Sequence, residues 1–423
     1  MSSSSSPTHD GDVSSTPAPD GATRPDPAAR ERASAFTLWM TAALIAGAAA
    51  VMLLVLARLR PSLPVVMPSY TGWHGDYSDV ASWVAWTLGD TTEPGYAHSA
   101  LAGAMMLLGG YLAHRAFRSK KHWMGFPVTS GTGLFGWAVG SAALGLVLSN
   151  AAWGWTIAVS GMWQPTFVPF ASVPPAIVLV YGGRRSVALT GAILGAALST
   201  PIALVAVNFG CRPLGLPPVV GATTGMAISA LMAFAMCRHL PWMRIPTVVV
   251  PRCSAGFPHH FVDTGRQGPR WLSRRILADF SDAQFIGNEW ASAGLLAGTV
   301  ISYLLNPAMA GKVGNLLPEL LTSQVLTAAL AVTLWHRQWA TYVWYPTFVP
   351  VVSIAPATVL AFGGSVQAIV AGAVLGALIG PPFAAAVARR LPSDFHPFIG
   401  NVVSMAAATA MIVTALSVTP GFG

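Results

Sequence analysis

Two copies of one segment contain the residues of this chain that are best suited to bind a small solute. Residues 165–183 and 346–364 match at a constant offset of 181, and twelve of the nineteen aligned positions are identical. A match of this length indicates an internal duplication. Each copy begins Pro-Thr-Phe-Val-Pro and has a serine seven residues after its first proline. The predicted substrate-binding residues are Pro165, Thr166, Phe167, Ser172, Pro346, Thr347, Phe348 and Ser353.

The polar side chains of this set are uncharged hydroxyls, and they lie beside predicted helix breaks. The two copies also contain Pro169, Pro174, Pro175, Pro350 and Pro356, which leave helical carbonyls without partners. Free backbone groups are costly in lipid, so such breaks persist only where protein or a watery cavity satisfies them. Hydroxyls and freed carbonyls suit a neutral or zwitterionic solute, or an alkali cation. Paired broken segments in two halves point to a transporter's binding site; two proline-kinked helices held by packing are the alternative.

The composition places these segments in or beside a membrane. The chain is 53% hydrophobic and 9% charged, and several apolar runs exceed the roughly 18 residues that indicate a transmembrane helix. We predict an all-α polytopic membrane protein with about 11 transmembrane helices: one extra N-terminal helix and a 5+5 inverted repeat with broken helices. The predicted divisions are a disordered cytoplasmic tail (1–35), the N-terminal helix (36–57), an outer loop (58–97), repeat 1 (98–237), a basic cytoplasmic loop (238–289) and repeat 2 (290–423).

Positive charges favour the inverted arrangement. Five spans in each half reverse the second copy, and basic residues should then mark alternate loops of the two halves. The loop after the first copy contains Arg184 and Arg185, whereas the corresponding Ser365 and Val366 are uncharged. One loop later the pattern changes: Arg212 stands alone, and the second half has Arg389 and Arg390. This pattern predicts a cytoplasmic N-terminus and an inner-membrane location.

The fifteen acidic residues can all be assigned to the tail, the loops or the span edges, including Asp90 and Glu93 in the outer loop and Asp279 and Asp282 in the inner loop. Ionisable residues inside membranes usually mark proton relays or charged-substrate sites. Their predicted absence from span interiors disfavours a carboxylate-based proton pump. It also disfavours an enzyme that holds a hard metal cation with clustered aspartates.

Other candidate sites are weaker. His396, beside Pro397, is the one histidine near a repeat landmark that could serve a nucleophile, and an interfacial histidine is the favoured interpretation. Cys253, His259 and His260 lack the fourth ligand of a zinc site. We therefore predict no catalytic residue, no metal and no cofactor.

Tryptophans, asparagines and glycines complete the set of candidate features. Trp153, Trp155, Trp163 and Trp344 could wall a cavity, or anchor span ends at the interface. In the outer loop, Trp73 and Asp76 could collect substrate or serve as an anchor. Asn150, Asn208, Asn306 and Asn401 lie towards span ends. Gly191, Gly195, Gly372 and Gly376 have the small-xxx-small spacing of helix contacts.

These patterns favour an integral membrane transporter or permease for a small neutral or zwitterionic solute, with the site between the two broken segments. The expected partners are the lipid bilayer and the solute; nucleic acid is not expected, and a homo-oligomer remains open. A membrane-embedded enzyme or accessory protein acting on a lipid-like substrate is the alternative. A third hypothesis is a structural or signalling protein that docks a soluble partner through residues 238–288.

Overall fold

The computed structural model describes residues 27–69, 72–246, 267–309, 313–342 and 344–422. Among these residues there is no β-strand, and the chain folds as an all-helical protein. The predicted metal candidates Cys253, His259 and His260 lie outside the described residues, as does most of the predicted N-terminal tail.

Sixteen α-helices lie in the described part of the chain. They are α1 (Pro27–Leu59), α2 (Val80–Asp90), α3 (Ala100–Arg118), α4 (Phe135–Trp153), α5 (Trp155–Ser160), α6 (Val173–Tyr181), α7 (Arg185–Leu194), α8 (Thr200–Val205), α9 (Pro218–Cys237), α10 (Pro269–Ala278), α11 (Glu289–Leu305), α12 (Leu317–Leu334), α13 (His336–Thr341), α14 (Ile354–Ala361), α15 (Val366–Ala388) and α16 (Phe398–Ser417). The π-helical turn Gly195–Ser199 joins α7 to α8, and a second one, Ala206–Cys211, extends α8, so that Arg185–Cys211 is one long helix.

Seven helices of the described chain are long and apolar enough to cross a membrane, namely Ala35–Ser62, Phe135–Trp153, Arg185–Cys211, Pro218–Cys237, Leu317–Leu334, Val366–Ala388 and Phe398–Ser417. Three shorter apolar helices, Val168–Tyr181, Glu289–Leu305 and Pro350–Ala361, accompany them. Two of these shorter helices belong to the duplicated segments, which supports the prediction that those segments are not continuous spans. Helix α1 begins at Pro27, before the predicted Phe36, so the last part of the predicted tail is helical.

The loops predicted at 58–97 and 238–289 each contain a helix whose end is buried. Helix α2 lies in the first loop and ends at Asp90, whose exposed fraction is 1%. Helix α10 lies in the second and is followed by the fully buried Asp279. Both helices are too short to be read from hydropathy as membrane spans. Helix α2 packs against α3 and α4, and α10 packs against α1, α11 and α12.

The repeated glycines pack where the long helices meet the broken segments. A Cβ at Gly195 would lie 2.5 Å from Cγ of Pro174, and one at Gly376 would lie 2.9 Å from Cβ of Pro350. Both prolines belong to the duplicated segments. The glycines therefore allow α7–α8 and α15 to approach the two breaks closely, as their spacing predicted.

Candidate functional site

Both duplicated segments are interrupted at the same serine. Ser172 has φ −142° and ψ −115°, and Ser353 has φ −138° and ψ −76°, so neither continues the helix. Each serine hydroxyl donates to the carbonyl four residues earlier, Ser172 to Val168 at 2.5 Å and Ser353 to Val349 at 2.7 Å. These two side chains therefore satisfy the broken backbone.

The first threonine of the duplication bonds a buried carboxylate. Thr166 Oγ1 donates to Oδ2 of Asp90 at 2.9 Å, and Nδ2 of Asn150 donates to the same oxygen at 2.9 Å. Trp86 Nε1 donates to Thr166 Oγ1 at 3.3 Å. The predicted outer loop thus contains a carboxylate that lies inside the protein against the first break.

The second threonine repeats this arrangement. Thr347 Oγ1 donates to Oδ1 of Asp279 at 3.1 Å, and both residues are fully buried. Arg275 donates to the same oxygen at 2.7 Å and also pairs with Asp282. Its guanidinium lies 4.6 Å from the ring centre of Trp339. The predicted inner loop therefore also contains carboxylates that lie inside the protein, those of Asp279 and Asp282.

The two aspartates begin turns of equivalent construction, which we call turn 1 (residues 90–99) and turn 2 (residues 279–288). At an offset of 189, Asp90, Thr92, Glu93 and Ser99 correspond to Asp279, Ser281, Asp282 and Asn288. The hydroxyl oxygen of Thr92 accepts from the Ser99 backbone N–H at 3.1 Å, and that of Ser281 accepts from the Asn288 N–H at 3.1 Å. Ser99 and Asn288 then cap α3 and α11 through their side chains.

Left-handed backbone recurs at the same two places in each turn. Tyr96 has φ 59° and Phe285 has φ 60°; two residues later, His98 has φ 48° and Gly287 has φ 61°. The duplication therefore extends upstream of the Pro-Thr-Phe-Val-Pro segments. A sequence signal exists, because both turns read Asp-x-(Ser/Thr)-(Asp/Glu). It was missed because few other residues match and the offset shifts from 189 to 181 between the turn and the break.

A cavity of about 1990 Å³ is lined by residues of both halves. Corresponding residues contribute to its wall: Trp163 and Trp344, Phe167 and Phe348, and Glu93 and Asp282. Pro346 also lines it, whereas Pro165, Thr166, Ser172, Thr347 and Ser353 are buried outside the lining. Of the predicted substrate-binding residues, the phenylalanines thus face the cavity, and the hydroxyls hold the turns and the breaks.

Two acid–base contacts lie in the cavity wall, one in each half. The Glu93 carboxylate contacts Nδ1 of His98, and both side chains are 6% exposed. Asp282 contacts Nη2 of Arg275, whose side chain is 3% exposed. Both pairs line the cavity. A wall that contains anionic and cationic groups within an aromatic surface suits a ligand that carries both signs of charge.

Comparison with protein-family models, curated proteins and solved structures found no match for this chain. The geometry of the two turns and the cavity therefore carries the functional inference. Among the described residues, no group of three or more His, Cys, Asp or Glu side chains is arranged to hold a metal ion.

The segment before α2 packs against that helix, which leads into turn 1. Trp73 is 2% exposed, donates its indole N–H to the Asp76 carbonyl at 2.7 Å, and packs against Trp86 with ring centres 5.6 Å apart. The backbone N–H and hydroxyl of Ser78 hold the pKa of Asp76 below its usual value. Tyr77 donates to the Asn150 carbonyl at 2.9 Å. These contacts favour a structural role over substrate collection.

The remaining candidates have varied surroundings. Trp153 donates to the Ala196 carbonyl at 2.9 Å, and Trp155 is 48% exposed; neither tryptophan lines the cavity.

His396 and Asn401 line the cavity, and Nδ1 of His396 accepts from the Phe398 N–H at 3.1 Å. Asn208 donates to Gln164, and Asn306 donates to the Met67 carbonyl.

Proposed function

We propose that this chain is an integral membrane transporter that moves a small zwitterionic solute through the cavity between its two halves. The observation that carries the proposal is the shared wall, to which corresponding residues of both copies contribute. A site at the interface between repeats, beside broken helices, is the usual arrangement in secondary transporters. The pairs Glu93–His98 and Asp282–Arg275 favour a solute with both charges over a neutral one.

We further propose that the halves form a 5+5 inverted repeat after one N-terminal helix, with eleven membrane crossings and a cytoplasmic N-terminus in the inner membrane. Contacts at the ends of α6 and α14 support inversion. Arg184, after α6, donates to the Arg244 carbonyl at 2.8 Å, and Arg238 pairs with Asp394, which follows α15. Phe362, after α14, instead packs against Phe422 at the end of the described chain.

These contacts group the ends of α6, α9 and α15 on one face of the protein. The end of α14 groups with the end of α16 and with Glu319, which lies near Gly364. The two corresponding half-helices α6 and α14 would then run in opposite directions. The basic residues Arg184, Arg238, Arg244 and Arg389 collect on the first face, which the positive-inside rule makes cytoplasmic.

Uptake into vesicles tests the transport proposal. Purified protein is reconstituted and offered a panel of labelled zwitterionic and neutral metabolites, with protein-free vesicles as the background. Uptake should be saturable, and Trp163→Ala combined with Trp344→Ala should reduce it because both rings line the cavity. Trp155→Ala is the matched control, since its ring lies outside the lining. An equal loss of uptake in this control, or unchanged uptake in both variants, would contradict the assignment of the cavity as the solute site.

Cysteine labelling from each side of the membrane tests the inversion. Single replacements Arg184→Cys and Arg390→Cys should label from the same face, and Ser365→Cys should label from the other. Labelling of 184 and 390 from opposite faces would overturn the inverted arrangement while leaving transport open.

A further inference from the structure

Turn 1 has a histidine where turn 2 has a glycine. His98 and Gly287 correspond at the offset of 189, and both have left-handed backbone, at φ 48° and φ 61°. Glycine adopts this conformation without steric cost, whereas a residue with a Cβ is strained in it. Strained residues persist where the surrounding structure holds them, and they concentrate at functional sites. The protein therefore keeps an imidazole at a position where its own second copy uses glycine.

The imidazole reaches the acid of the same turn. His98 contacts Glu93 through Nδ1, and both side chains are almost fully buried and line the cavity. The corresponding acid of turn 2, Asp282, contacts the guanidinium of Arg275. An arginine stays charged throughout the accessible pH range, whereas histidine is the side-chain type that exchanges a proton near neutrality. The two acid–base pairs in the cavity wall thus differ in their basic partner, an imidazole in turn 1 and a permanently charged guanidinium in turn 2.

The residues around turn 1 have other contacts or carry no ionisable group, so the proton exchange is assigned to Glu93 and His98. Tyr96 of the same turn lies with its ring centre 6.3 Å from that of His98. Asp90, at the start of the turn, bonds Thr166 and Asn150. The elements packed on the turn contribute Ser302, which bonds Ser99, Gln324, which donates to the Gly95 carbonyl, and the apolar segment Pro350–Val352. None of these three contributions titrates.

We propose that the Glu93–His98 pair couples solute transport to protons. The pair binds one proton from the side to which the cavity is open, and becomes neutral as carboxylate and imidazolium. It releases that proton to the opposite side after the protein changes conformation, and returns to a net charge of −1. With the proton bound, the buried pair carries no net charge, which lowers the cost of enclosing it during the conformational change. This coupling rests on the proposed transport function and adds the driving ion to it.

A pH jump tests proton binding without any solute. Vesicles containing the purified protein are adsorbed on a sensor electrode, and the external pH is lowered. The wild-type protein should give a transient charge movement. His98→Gly and Glu93→Gln should each abolish it, and His98→Gly should fold well because Gly287 occupies the same place in turn 2. His122→Gln is the control, because His122 is exposed in another loop. A transient that survives both changes, or is missing in the wild type, overturns the proposal.

Accumulation of a solute identified from the uptake panel tests the coupling itself. With one proton moved per solute, an inward gradient of one pH unit can drive at most about tenfold accumulation. His98→Gly should reduce this ratio to about 1, whereas the control His122→Gln, at an exposed residue, should leave it at the wild-type value. If the wild type reaches the same internal solute concentration with and without the pH gradient, coupling is refuted and the transport proposal stands. A charge movement without any uptake would instead refute the transport proposal and retain the proton site.

Discussion

Turn 1 and turn 2 have the same backbone and different ionic partners. Both begin with a buried aspartate bonded by the threonine of a Pro-Thr-Phe-Val-Pro segment, and both place a second acid in the cavity wall. Arg275, in the helix before turn 2, contacts both acids of that turn, and the corresponding residue in the helix before turn 1 is Trp86. In turn 1 the cavity-facing acid meets His98. The comparison shows that one duplicated frame holds an acid–histidine contact in one copy and an acid–arginine contact in the other.

The largest expected effect is at Arg275. Arg275→Met leaves Asp279 and Asp282 buried without their cation, and breaking a buried pair in this way costs about 3–5 kcal/mol. Thermal unfolding in detergent should show a severe loss of stability. Arg274→Met is the matched control, because Arg274 is 39% exposed in its contact with Glu289, and its loss should cost at most about 1 kcal/mol. Similar losses for the two variants would show that turn 2 does not depend on its buried cation.

The second effect concerns the left-handed position of turn 2. Gly287→Ala adds a Cβ that is strained at φ 61° and contacts Oδ1 of Asp282. The backbone strain alone costs roughly 1–2 kcal/mol. Gly161→Ala is the control, because Gly161 has φ 62° and open space around a Cβ. Unfolding measurements should therefore show a larger loss at 287 than at 161. Equal losses would mean that the Asp282 carboxylate moves aside freely.

The third effect concerns the threonine–aspartate hydrogen bond that is present in each turn. Thr166→Val and Thr347→Val each remove a donor to a buried carboxylate, a bond worth about 1.5–3 kcal/mol. Since each threonine bonds a different aspartate, the losses in the double variant should add to within about 0.5 kcal/mol.

The control for this pair is Thr333→Val, because Thr333 Oγ1 is buried without a hydrogen-bond partner among the described residues. Its replacement should leave unfolding nearly unchanged. Strong non-additivity between positions 166 and 347 would instead show that the two turns act as one unit, as a solute bound by both would require.

The sequence predicted the helical membrane class, the duplication and the breaks, because apolar runs and proline are local signals. It did not predict the acids of the site. Hydropathy treats Asp90 and Asp279 as loop residues, whereas their burial depends on Thr166 and Thr347, which lie far along the chain. Ser172 and Ser353 were grouped with these threonines by type alone, and only the three-dimensional contacts separate backbone repair from carboxylate binding.

The smallest expected effect is at Trp86, the position that corresponds to Arg275. Trp86→Phe keeps an aromatic ring against Trp73 and removes the N–H that donates to Thr166 Oγ1 at 3.3 Å. This bond is long, and Thr166 keeps its own bond to Asp90, so the loss should not exceed about 1 kcal/mol. Trp155→Phe, at an exposed ring, should cost less still. A loss at Trp86 as large as that at Arg275 would show that turn 1 depends on its indole as turn 2 depends on its guanidinium. The two turns would then differ in chemistry but not in how firmly they are held.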